Sequence, residues 1–141
     1  MQRLLFISIF VLTLVSTVTA QNRSGTYYQS DENGRGDITF REVKLGKTNI
    51  LNFAVFVAGA ATGTCIGDMK GKATWIDLNV AEYENSPEEP ENPICRLTFI
   101  FSKNLVLVRE EDSCKFYHGA ACQFEVMYKK RLINSSKRKV K

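Results

Sequence analysis

Strict alternation of apolar and polar residues constrains this chain more than any other feature. In Cys95-Arg96-Leu97-Thr98-Phe99-Ile100-Phe101, every second residue (Cys95, Leu97, Phe99, Phe101) is apolar. Successive side chains of an extended strand point to opposite sides, so these four share one face. Residues 50–58 repeat the pattern with Leu51, Phe53, Val55 and Val57, in a Val-, Phe- and Ile-rich composition that favours strand over helix. Residues 72–83 alternate as well, with Ala73, Trp75, Asp77 and Asn79 opposing Thr74, Ile76, Leu78 and Val80. Shorter strands are expected at 25–28, at 37–45 (Ile38, Phe40 and Glu42 on one side) and at 122–128, where Cys122, Phe124, Val126 and Tyr128 align. Polar turns at 29–36, 46–49 and 102–104 separate them. The last of these joins 95–101 to a strand at 105–109 as a hairpin. No segment of helical length has apolar residues at i, i+3, i+4, i+7, although one short helix fits within 77–84. Seven or eight short strands with regular turns predict an all-β domain, a small antiparallel β-barrel in preference to a sandwich.

The N-terminus reads as an export signal: Arg3, an apolar run from Leu4 through Val15, then small residues ending at Ala20. The run is shorter than the roughly 20 apolar residues of a membrane-spanning helix. Cleavage after Ala20 is expected, with residues 1–20 as signal peptide and a secreted or periplasmic product without a transmembrane segment. In that setting the four cysteines, Cys65, Cys95, Cys114 and Cys122, read as two disulfides. Their spacings of 30, 19 and 8 lack the paired C-x-x-C of a zinc site. Four cysteines allow three pairings. Folding back at 102–104 brings Cys95 opposite the stretch before Cys114, which favours Cys95 with Cys114 and leaves Cys65 with Cys122.

Charge divides the chain. Residues 21–128 carry 11 Lys and Arg against 15 Asp and Glu, whereas residues 129–141 carry seven basic residues and no acid. The expected organisation is therefore one β domain over 21–128 followed by a basic tail at 129–141. The folded body is mildly acidic, which excludes reading it as a basic nucleic-acid-binding domain.

The run Cys95-x-Leu97-x-Phe99-x-Phe101, Val106-x-Val108, Cys114, His118-Gly119, Phe124 and Tyr128-x-Lys130 resembles that of small exported bacterial disulfide-bonded β-proteins, some of them lysozyme-inhibitor-like. The match covers residues 95–130. Such proteins often end in an aromatic-x-Gly-x-Tyr-x-Lys strand, and here Val126 replaces the glycine. The resemblance implies a disulfide-stapled antiparallel barrel and a protein partner. No segment corresponds to an inhibitor's active loop.

Several residues qualify as binding candidates, each with a plainer alternative. His118, the only histidine, follows Tyr117 between two cysteines. It is suited to a binding loop or to general-base chemistry, but a turn residue before Gly119 explains it as well, and no nucleophile partner is evident. Trp75 with Tyr27, Tyr28 and Tyr83 would line a ligand pocket, or serve simply as core and surface aromatics. The stretch 84–93, with its three prolines, and the strand end before it hold Glu82, Glu84, Glu88, Glu89 and Glu91, an acidic loop suited to steering a basic partner or merely to solubility. Asp68 and Asp77 would act as a hydrolytic pair only at the right separation. The glycines of 59–71 match no phosphate-binding fingerprint and fit a loop, bulge or barrel corner. Asn22-Arg23-Ser24 and Asn134-Ser135-Ser136 match the N-glycosylation acceptor pattern, which bears only on a eukaryotic chain.

The reading is an exported, non-enzymatic binding protein with no cofactor and no metal, whose partner is a protein or polysaccharide at the cell envelope. The basic tail would contact anionic surfaces. A small-ligand carrier using the barrel interior and a structural envelope component are the alternatives.

Overall fold

The computed structural model describes residues 22–32, 34–60, 65–86 and 91–132. The segment 1–20 expected to be a signal peptide, Glu88, Glu89, Asn134 and the tail from residue 133 lie outside them. Eight antiparallel strands form a closed barrel in chain order: β1 (Gly25–Asp31), β2 (Gly34–Leu45), β3 (Thr48–Gly59), β4 (Ile66–Asp77), β5 (Val80–Glu84), β6 (Arg96–Ser102), β7 (Leu105–Glu110) and β8 (Met127–Lys130). One 3₁₀ turn (Asp112–Cys114) runs into a four-residue helix, α1 (Lys115–His118). Closure rests on two residue pairs between β1 and β8, Tyr27 with Lys130 and Tyr28 with Lys129.

The alternation puts the expected residues inside. Leu51, Phe53, Val55 and Val57 of β3 and Leu97, Phe99 and Phe101 of β6 are buried, as are Ile38, Phe40, Val106 and Val108. Aromatic rings fill the interior edge-on. Phe40 lies 5.5 Å from Tyr27, 5.2 Å from Phe99 and 5.0 Å from Phe101, and Phe53 lies 4.8 Å from Tyr83. Burial raises the Tyr27, Tyr83 and Tyr128 hydroxyls above the usual tyrosine range.

Both disulfides pair as the hairpin argument favours: Cys95–Cys114 spans 4.6 Å and Cys65–Cys122 spans 5.8 Å between Cα atoms. The boundaries of several elements differ from expectation. The 29–36 turn shrinks to residues 32–33, because Asp31 Oδ1 accepts the Gly34 N–H at 3.1 Å and lets both strands run on. Residues 72–83 are a hairpin turning at 78–79, and no helix forms in 77–84. Asp77 Oδ1 accepts the Leu78 N–H at 2.6 Å, and the ladder shifts register between Trp75 and Asp77. The short helix falls instead at 115–118. The ladder at the C-terminus begins only at Met127 and runs two residues past the expected domain end, and the Arg131 N–H still donates to Thr26 O at 2.7 Å.

Of the loop or bulge expected within 59–71, the loop falls between the end of β3 and the start of β4, and Gly67 and Gly71 form no bulge, since β3 and β4 stay in unbroken register from Ile50–Thr74 to Ala58–Ile66. Gly67 and Gly71 face inward within β4 and leave space for side chains from elsewhere. A Cβ at Gly67 would lie 2.3 Å from His118 Cβ, and one at Gly71 would lie 2.2 Å from Tyr83 Cε2.

Candidate functional site

Antiparallel order sends the connections alternately to the two ends of the barrel. The loop end gathers the 32–33 turn and the longer connections after β3, β5 and β7. The hairpin end carries the two-residue turns at 46–47, 78–79 and 103–104, with residues 22–24 and 131–132 beside them.

At the loop end, the connection after β7 folds over the barrel as a cap. His118 is buried, and its ring stands edge-on to Phe124 at 4.7 Å. Nδ1 lies 2.7 Å from the Gly119 carbonyl, and Nε2 lies 3.0 and 3.2 Å from the two carboxylate oxygens of Glu110. A carbonyl only accepts, so Nδ1 donates to it, and Nε2 faces the Glu110 carboxylate. Glu110 Oε2 also accepts the Phe124 N–H at 3.1 Å. Tyr117 donates its hydroxyl proton to Pro93 O at 2.7 Å and accepts from Asn85 Nδ2 at 2.6 Å, while Asn85 Oδ1 accepts the Cys95 N–H at 2.6 Å. Both aromatic candidates of this segment therefore brace the cap. Around it, Arg96 bridges Glu84 and Glu111 at 2.5 and 2.6 Å, and the paired carboxylates raise the affinity of its guanidinium for its proton. Phe116 and Ile94 are exposed there, as are Glu91, Glu111 and Asp112. A cleft of about 300 Å³ opens between Gln29, Arg35, Ala58 and Gln123.

Trp75 lies at the other end. Arg23 covers it with its guanidinium carbon 4.6 Å from the ring centroid, and Phe101 lies 5.5 Å away on the barrel side. Arg23 also donates to Leu78 O and to Asn79 Oδ1 and faces Glu42 at 3.8 Å, so residue 23 plugs the mouth. Beside the plug, Glu42, Lys47, Asn49, Asp77 and Trp75 border a second cleft of about 490 Å³.

The sequence candidates thus do not converge. His118 and Tyr117 sit at the loop end and Trp75 at the hairpin end. Tyr27 points inward, whereas Tyr28 faces out beneath Arg131 at 5.5 Å. Glu88 and Glu89 lie outside the described residues, in the connection whose flanking strands, β5 and β6, end at the loop end. Asp68 and Asp77 occupy the same strand nine positions apart, about 30 Å at the strand rise, far beyond the reach of a cooperating carboxylate pair. Glu110 falls just past the strand expected at 105–109, yet the alternation of Val106 and Val108 continues to it and marks it as inward-facing. Arg23 carries no comparable signal. Among the described residues, no three His, Cys, Asp or Glu side chains are grouped to hold a metal ion, and no helix is long and apolar enough to cross a membrane.

No family model, curated protein or solved structure matches the chain.

Proposed function

We propose that this is an exported, non-enzymatic binding protein that acts outside the cytoplasm or at the cell envelope on a basic protein partner, in the manner of a lysozyme inhibitor. The observation that carries this reading is the concentration of the longer connections and both disulfides at one end of a rigid barrel, where the acids Glu84, Glu91, Glu111 and Asp112 outnumber their exposed partners Arg96 and Lys115. Loops held by a stiff scaffold are where recognition is usually built, and an acidic rim steers a basic partner. The histidine with the chemistry for base catalysis has both ring nitrogens engaged in the cap. The ring-filled interior argues against a ligand carried inside.

The test is an inhibition titration of the oxidised chain against a panel of lysozymes at low and moderate salt. Saturable inhibition that survives neutralising the basic residues of 137–141, and that falls when Glu91, Glu111 and Asp112 become lysine, is expected. Absence of binding to every lysozyme would remove the inhibitor assignment.

A further inference from the structure

The outer face of β2, β3 and β4 carries a second, oppositely charged surface. Two cross-strand rows define it: Arg41–Asn52–Lys72 and Thr39–Ala54–Lys70. Arg41, Lys70 and Lys72 are exposed and enter no ion pair among the described residues, whereas Arg23, Lys115 and Arg131 each have one and Arg96 has two. The middle strand is low, since Ala54 and Asn52 are short. Strands stand about 4.8 Å apart, so Arg41 and the lysines flank a trough roughly 10 Å wide. Phe56, two residues along β3 on the same face, is 38% exposed and closes one end of the trough with an aromatic ring, in a third cross-strand row, Asp37–Phe56–Asp68, that sets a carboxylate on either side of it.

The neighbouring acids offset this charge only in part. Asp37 is paired with Arg131 at 3.3 Å and Glu84 with Arg96. Asp68 stands opposite Phe56, two residues from Lys70 on the same face, and Glu82 is half-buried on β5 beside Thr74. The Arg131 side chain reaches across β1 to Asp37 on β2. Residues 133–141 carry Lys137, Arg138, Lys139 and Lys141 and no acid.

We propose that this face binds an acidic polysaccharide. Cations flank the trough to meet carboxylate or sulfate groups. Thr39 and Asn52 offer hydroxyl and amide partners for sugar hydroxyls, and Phe56 offers a ring for the C–H face of a sugar. A single-stranded nucleic acid is usually held by stacking successive bases on several aromatics, and this face has one. The site goes beyond the loop-end reading, lies on a different surface, and stands or falls separately from it.

The experiment measures retention and affinity of the full oxidised chain on polygalacturonate and dextran sulfate across a salt series, with double-stranded DNA as comparison. Three full-length variants are used: Arg41→Ser with Lys70→Ser and Lys72→Ser; Phe56→Ser; and Lys137, Arg138, Lys139 and Lys141→Gln. All substitutions are exposed or terminal, and unchanged thermal unfolding confirms the fold. The expected result is that the triple variant loses roughly tenfold or more at low salt, with a shallower salt dependence, as screened charge contacts do. Phe56→Ser should lose less, and the tail variant should retain part of the binding. An unchanged triple variant would overturn the proposal, as would loss of all binding in the tail variant alone. DNA binding of equal strength through the same three residues would overturn the assignment to polysaccharide.

Discussion

The two ends of this barrel are held by different physics. At the hairpin end, three two-residue turns join adjacent strands, and nothing covalent is added. Gly46 and Lys103 adopt positive φ values of 62° and 51° there, the geometry such tight connections require. A short turn sets the register of its own strands and leaves little loop entropy to overcome. At the loop end, the connections are longer, and each of the three after β3, β5 and β7 is tied by a disulfide, with a buried His118–Glu110 contact beneath. Cross-links fall where chain entropy is largest, and the end that is free of them is sealed by a single arginine. The lesson is that the loop end's shape depends on oxidation, while the hairpin end's shape follows from local sequence.

The largest effect expected from this contrast comes from the cross-links. Cys65→Ser with Cys122→Ser opens a span of 57 residues and should cost about 4 kcal/mol, and Cys95→Ser with Cys114→Ser should cost about 3 kcal/mol. Denaturant unfolding measures both, and hydrogen exchange should show the loss of protection confined to the cap while the three hairpin turns stay protected. Equal loosening of both ends would break the comparison.

Next, His118→Ala leaves Glu110 buried beside an empty space and should destabilise by about 3 kcal/mol. Gly67→Val, which sets a side chain against His118, should do the same by lifting α1 from β4. Similar unfolding midpoints for both variants would tie them to one contact.

Alkaline titration separates the ends by the charges around their buried hydroxyls. Tyr27 and Tyr128 have raised affinities in the folded state, so their stabilisation is intact below the unfolded tyrosine value of about 10 and is lost as pH climbs through the folded values. The slope is at most about 1.4 kcal/mol per pH unit for each hydroxyl. Burial raises both, but at Tyr27 the Arg23 charge opposes it ahead of a smaller reinforcement by Glu42, whereas the Glu110 and Asp37 charges both reinforce it at Tyr128. Phenolate absorbance combined with Tyr27→Phe and Tyr128→Phe should show the hairpin-end hydroxyl ionising first.

The smallest effect is at the plug. Arg23→Met keeps an apolar stem over Trp75 but removes the cation–π contact and the bonds to Leu78 O and Asn79, at a cost of about 1 kcal/mol. A change in Trp75 fluorescence without loss of cap protection is the expected reading.

The legible parts of the fold were those in which pattern and turn chemistry agree. The strands at 95–101 and 105–109 alternate cleanly around Ser102-Lys103-Asn104, and that hairpin carried the disulfide pairing with it. The turn at 78–79 was hidden because alternation runs straight through Asp77-Leu78-Asn79-Val80 without glycine or proline. The stretch 122–126 looks like strand because Phe124 is buried and Cys122 and Val126 are half-buried, yet Cys122 is tied to Cys65 and the Phe124 N–H to Glu110. For the candidate site, His118 was visible as a residue but not as a buried one, since its partner lies across the cap and its clearance comes from the missing side chain of Gly67 on β4. The trough on β2–β4 was illegible because it depends on cross-strand register, which alternation alone does not specify.

The meeting of β1 and β8 has a consequence for the topology of the chain. Lys130 Nζ donates to Asn22 O at 2.6 Å, and Arg131 is bonded to Thr26, so the first and last described residues are neighbours in space. A short flexible bridge could join them into a ring, and the ring could be cut between Gly46 and Lys47 without crossing a disulfide-tied connection. Circular permutants of compact domains are tolerated where the termini lie close and the new cut falls at an exposed tip. Such a permutant would present new ends at the hairpin side and leave the capped side intact, which makes this barrel a frame that can be entered at a chosen corner.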